Sequence, residues 1–198
     1  MTSDIILALV ALAFAGAWTP GPNNALVASS GAAFGYFRTF PHVLGTALGF
    51  PLMMFLVGVF LGELFQQSAL LRETLRWGGA LILLWMAWRL ANSGGLVSRQ
   101  GKARPFTFLE SAAFQWINPK GWAMGIAITS QFILPAAPVR SALIVAVVFF
   151  VAGITSASAW ALAGQTLMRW AETPGRLVWF NRAMAGLIVL TVVLLFLG

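Results

Sequence analysis

The sequence predicts an all-α, polytopic membrane protein of six transmembrane helices, built as two inverted three-helix repeats whose first and fourth helices are broken. Three observations lead there. Of 198 residues, 60% are hydrophobic and only 9% charged, with a mean hydropathy of +0.87, whereas a soluble domain carries charge on roughly a quarter of its residues. The apolar residues gather into six long stretches bounded by Arg and Glu, near the ~20 residues a helix needs to cross hydrocarbon. Two of these stretches, the first and the fourth, are interrupted by clusters of Pro, Asn and Gly.

The first segment, 5–36, has no formal charge between Asp4 and Arg38, yet contains Thr19-Pro20-Gly21-Pro22-Asn23-Asn24. Each proline removes a backbone donor, obstructs the preceding turn and disfavours helix at the residue before it. Two of them around a glycine predict an unwound stretch rather than a kink. The segment lacks the basic n-region of a secretory signal and is expected to be retained. The second segment, 40–62, opens on Pro41 and the single histidine, His42, and carries Gly45-Thr-Ala-Leu-Gly49, small residues that let helices approach closely. The third, 69–91, is short between Arg76 and Arg89, which must snorkel to the interfaces. A hydrophilic linker, 89–105, then joins repeat one, about 1–98, to repeat two, about 99–198.

The fourth segment, 106–134, reads Phe114-Gln-Trp-Ile-Asn-Pro-Lys-Gly-Trp122 at its middle, with Asn118, Pro119, Lys120 and Gly121 breaking the apolar run. A lysine at that depth costs at least ~2.5 kcal/mol and needs a reason to be there. The fifth, 141–165, gathers small residues between Gly153 and Gly164, a packing pattern. The sixth, 177–197, must borrow Leu177 to Asn181 before Arg182. Trp77, Trp88, Trp170 and Trp179 fall near predicted ends, as interface anchors do. The strand alternation of an outer-membrane barrel is absent.

Six crossings place both termini on one side. Arg38, then Arg89, Arg99, Lys102 and Arg104, then Arg169, Arg176 and Arg182 occupy the odd connections, against Arg72, Arg76 and Arg140 on the even ones. The positive-inside rule puts the odd connections in the cytoplasm and both termini outside. Loop charge beside anionic lipid explains the net charge of +7, and no aromatic-laced basic groove suggests a nucleic-acid partner. With no cysteine, one histidine and one aspartate, no disulfide, metal site, cofactor or catalytic triad is expected.

Interrupted helices at corresponding positions of inverted halves point to a transporter's midplane site. A half-helix starting near Asn23 offers free N–H groups and a positive dipole end to a carboxylate. Asn23 and Asn24 cap that helix or orient a polar ligand, and Lys120 pairs with the carboxylate. An ammonium would be received by carbonyls freed at Ala17, Trp18 and Thr19, helped by Gln115 and Gln131. Trp116 and Trp122 flank the second break as candidate cavity walls. The candidate substrate site therefore comprises Pro20, Gly21, Pro22, Asn23, Asn24, Gln115, Trp116, Asn118, Pro119 and Lys120, with His42, Glu110 and Lys120 as coupling candidates.

Each residue also has a structural reading. The prolines can be plain kinks, and Lys120 can snorkel or bond carbonyls to close its own break. Gln115 and Gln131 can be interhelical hydrogen-bond partners, His42 an interfacial side chain without function, and Glu110 an ion-pair partner of Lys102 or Arg104. A membrane-embedded enzyme and a bare channel are the rival functions, the channel showing neither saturation nor coupling.

These residues carry a resemblance. Thr19 to Phe50 is similar to the first two helices of the lysine exporter superfamily, and Phe114 to Trp122 to its fourth-helix signature; Trp77 to Ser93 and Trp160 to Trp170 are similar to its third and fifth helices. The resemblance covers essentially the whole chain, and the two motifs at this separation are specific together. It implies an exporter of the bacterial inner membrane for small neutral amino acids or close derivatives, driven by an ion gradient, with proton antiport. Asn23-Asn24 where many relatives carry Asp, with Ser29-Ser30-Gly31 and Gln115 to Lys120, is most similar to the cysteine and O-acetylserine branch. The implied partners are the amino acid, the coupling proton and the lipid bilayer, with a homodimer expected of so small a chain. Export of basic amino acids or other small metabolites is the alternative.

Overall fold

A computed structural model describes residues 1–61, 68–92, 104–169 and 175–197. Among these every regular element is helical: α1 (Ser3–Trp18), α2 (Pro22–Phe34), α3 (Tyr36–Leu56), α4 (Ala69–Ala91), α5 (Phe108–Phe114), α6 (Pro119–Phe132), α7 (Pro138–Arg169) and α8 (Arg176–Leu197). Most of the linker predicted at 89–105 lies outside the described residues, as do Arg99, Lys102 and Trp170.

Local sequence explains where the helices stop. α1 ends because Thr19, before Pro20, is extended (φ −61°, ψ 131°). Gly21 is extended too, and α2 restarts at Pro22, where a missing N–H is harmless. The chain bends by 53° between α1 and α2. α2 stops at Gly35, whose φ of +79° suits glycine, and α3 runs on into a π turn at Val57–Leu61. Thr107 and Glu110 form a reciprocal capping box that starts α5. A 3-10 turn, Gln115–Ile117, leads to extended Asn118, and Pro119 opens α6.

α7 is the central pillar, packed against α1, α2 and α3, while α4 and α2 lie on α8 and α5 lies on α3. One apolar cluster joins α2, α4 and α8 through Leu26, Leu83, Leu90 and Ile188. Another joins α1, α3, α6 and α7 through Leu9, Met54, Phe132 and Phe149. α2 is buried continuously from Asn24 to Gly31, as expected of a helix enclosed on every side. Small residues allow this. A methyl at Gly31 would strike the Ala161 backbone and one at Gly164 the Ala28 backbone, so α2 and α7 meet main chain to main chain; Gly45 and Gly49 meet Phe108 and Ala112 of α5 in the same way.

Polar side chains face inward and apolar ones outward. Ser29, Ser30, His42, Thr46, Gln115, Asn118 and Ser156 are buried, whereas Leu7, Phe37, Leu81, Trp88, Leu109, Val147, Trp179 and Leu194 are exposed. That pattern suits lipid. Among the described residues three helical stretches are long and apolar enough to cross a membrane, Tyr36–Phe60, Pro138–Met168 and Arg176–Leu194, and the bent α1–α2 pair is a fourth if it counts as one span. The stretch Arg176–Leu194 does borrow Leu177 to Asn181. Of the six crossings expected, the third and fourth segments do not meet that standard. α4 is helical throughout but carries Arg72, Glu73, Arg76 and Arg89, and the break at Asn118 divides the fourth segment into pieces too short to cross alone.

Candidate substrate site between two helix breaks

The two breaks, remote in sequence, meet in space around one cavity. Gly21, Pro22, Asn23 and Asn24 line it from the first break; Asn118, Lys120 and Gly121 from the second; Thr46, Phe50 and Pro51 from α3; and Phe149, Gly153 and Ser156 from α7. Water-molecule centres can occupy about 60 Å³ of it, and at roughly 10–15 Å³ per water this admits a few waters or a small ligand.

Two sets of hydrogen bonds brace the breaks against each other. The Lys120 ammonium donates to the Thr19 carbonyl at 3.1 Å and the Pro20 carbonyl at 3.4 Å. Lys120 thus bonds the opposite break rather than its own; it caps the carbonyl end of α1, where the helix dipole favours a cation. In return, Asn23 Nδ2 donates to Gln115 Oε1 at 2.8 Å and Gln115 Nε2 to Asn23 Oδ1 at 3.3 Å. Gln115 also donates to the Ser111 carbonyl at 2.9 Å. Gly21 gives the Lys120 side chain room: a Cβ there would stand 2.9 Å from Lys120 Nζ, and the lysine end would have to shift.

The freed carbonyls of α1 are largely occupied. Asn24 Nδ2 donates to Ala17 and Thr19 at 2.8 and 3.0 Å, and Ser156 Oγ reaches the Ala17 carbonyl at 2.8 Å. Two donors saturate the Ala17 oxygen, so it is not open to a ligand ammonium. The N–H groups at the head of α2 are different. The first residue of α2 to close a helical bond there is Ala25, to Gly21 at 2.9 Å, which leaves the amides of Asn23 and Asn24 available beside the cavity.

Several expected site residues lie elsewhere. Pro20 is exposed and Pro119 is buried, but neither lines the cavity. Trp116 and Trp122 do not line it either; their rings pack edge to face at 5.8 Å, and Trp122 Nε1 donates to the Trp116 carbonyl at 2.9 Å. Gln115 stands behind Asn23, and Gln131 is exposed. His42 is buried within the protein, its Nδ1 3.1 Å from Ser30 Oγ and its ring on Phe106. Glu110 forms a two-pronged pair with Arg104, both contacts 2.6 Å, and its carboxylate raises the pKa of the Arg104 guanidinium. Of the coupling candidates, Lys120 alone reaches the cavity wall.

Thr46 and Ser156 are wall residues that sequence reasoning passed over. Thr46 Oγ1 meets Ser111 Oγ at 2.8 Å, and that hydroxyl donates to the His42 carbonyl at 2.9 Å. Their only sequence signal was a hydroxyl embedded among small residues.

Residues 14–198 match the family described as LysE type translocator. The chain is similar to the cysteine/O-acetylserine efflux proteins of Escherichia coli (strain K12) and Shigella sonnei (strain Ss046), each 31% identical over 198 residues, 99% of this chain and all of the relative. It is equally similar to that of Shigella flexneri, 31% identical over the same share of both chains. No solved structure matches it.

Proposed function

This chain belongs to the LysE type translocator family and is a multi-pass membrane transporter, not an enzyme; we propose that it exports a small neutral amino acid or close derivative, such as cysteine, O-acetylserine, homoserine or threonine, across the bacterial inner membrane. Export runs by alternating access with proton antiport. All six predicted segments cross, α4 with its arginines snorkelled and α5–α6 as the inverted counterpart of α1–α2. The two halves rock about the cavity, and both termini are periplasmic.

The observation that carries this reading is Lys120. It lines the cavity between the two breaks, and among the described residues it has no carboxylate partner. An ammonium has three donors; two go to Thr19 and Pro20, and the third is left for the carboxylate of the substrate. The amides of Asn23 and Asn24 add donors of the same sense. A single fixed cation and a small cavity suit a neutral zwitterion better than a basic amino acid, whose second cation would lack an acid to meet.

Uptake of labelled cysteine or O-acetylserine into everted membrane vesicles tests the proposal. Saturable uptake that needs a pH gradient is expected. Flux that neither saturates nor responds to the gradient would point to a channel and overturn it.

A further inference from the structure

One buried polar atom of a cavity-lining residue has no partner among the described residues. Asn118 is 2% exposed and lines the cavity, and its Oδ1 meets no hydrogen-bond donor among the described residues. No other wall residue has a buried side-chain oxygen or nitrogen unpaired in that way. Its position makes this unusual. Asparagine is favoured at an N-cap because its oxygen accepts an orphan N–H of the first turn, yet Asn118 is the N-cap of α6 and makes no side-chain cap bond. A buried acceptor left unpaired is destabilising and calls for a donor from elsewhere.

We infer that Asn118 Oδ1 is the acceptor for the ammonium group of the substrate, two residues along the chain from the Lys120 ammonium that takes the carboxylate. This rests on the transport reading above and gives the bound zwitterion a direction. Two of the acceptors at the end of α1 are already taken: the Ala17 carbonyl holds Asn24 and Ser156, and the Thr19 carbonyl holds Asn24 and Lys120. Asn23 Oδ1 is held by Gln115. Asn118 Oδ1 can only accept, so it selects a ligand that brings N–H groups. A site built around such an unpaired group rejects an analogue lacking the donor more strongly than one lacking only bulk.

The test uses purified protein in proteoliposomes, with labelled cysteine as substrate and two competitors. 3-Mercaptopropionate is cysteine without its amino group, and cysteine methyl ester is cysteine without its carboxylate. In the wild type, 3-mercaptopropionate should compete on the order of 10- to 100-fold less well than cysteine. In Asn118→Leu that gap should close to within about threefold, while the penalty for the methyl ester persists. If Asn118→Leu keeps the full preference for the amino group, the inference is overturned and Oδ1 meets only water. Should that variant not fold, Asn118→Asp carries the test: a carboxylate there should strengthen the preference, and an unchanged or weaker preference refutes the assignment. An absence of saturable transport of cysteine, O-acetylserine, homoserine and threonine alike in the wild type would sink the export reading, and this inference with it.

Discussion

Lys120 and Asn23 are each held by the opposite break, and that exchange shapes what their removal should do. A ligand that binds only the folded protein raises its stability by mass action, about 2.7 kcal/mol at a hundredfold excess over Kd. Purified wild-type protein should therefore show a rise in Tm with cysteine or O-acetylserine. Lys120→Ala should lose that response and also have a lower starting Tm, because the Thr19 and Pro20 carbonyls lose their cap. An equal response from both proteins would make Lys120 purely structural. The Asn23–Gln115 amide pair allows a cleaner measurement. Each single change, Asn23→Ala or Gln115→Ala, strands its partner and should cost about 1–3 kcal/mol. The double variant should cost less than the two summed, by about 1 kcal/mol, in unfolding measurements in detergent; additivity would show that the pair does not couple.

The helices fit together by backbone approach where side chains are missing. Gly31 and Gly164 sit where α2 and α7 touch, and an added methyl at either would overlap backbone atoms of the other helix. Neither helix can withdraw easily, since α7 is also packed on α1 and α3. Gly31→Val and Gly164→Val should each destabilise by about 1–3 kcal/mol or more through overpacking. Gly186 of α8 is the internal control: a methyl there meets nothing. Gly186→Ala should be neutral or stabilise by up to about 1 kcal/mol, from helix propensity alone. Thermal melts of the three variants separate the cases, and a comparable loss at Gly186 would refute the packing explanation. The breaks obey the opposite logic: Pro22 and Pro119 each open a helix, so the prolines permit the second half of each pair as well as ending the first.

For the molecule as a whole, the arrangement of charge makes the orientation measurable. The chain contains no cysteine, so single substitutions report without background. Thr2→Cys and Leu197→Cys should both react with a membrane-impermeant maleimide on intact spheroplasts, with both termini outside and the Arg-rich odd connections in the cytoplasm. Labelling of only one terminus would mean an odd number of crossings and would remove the inverted-repeat arrangement. Labelling of neither until the membrane is permeabilised would reverse the orientation.

Much of this protein was written in short stretches of its sequence. The all-helical membrane class follows from composition and from apolar run length. The position of both interruptions follows from proline, because a missing N–H and a ring clash act on adjacent residues regardless of context. The pairing of Glu110 with Arg104 was among the partners open from spacing, since the two stand within two helical turns. Sequence did not reveal that Lys120 caps the other break, or that Asn24 and Ser156 occupy the Ala17 carbonyl, one of those expected to receive an ammonium. Nor did it show that the Asn118 side chain is left wanting a donor. Those facts depend on partners separated by up to 139 positions, brought together when α7 packs against α1 and the breaks converge. Local chemistry settles where a helix must stop; which group then satisfies its open end is set by whatever the packed chain carries to that point.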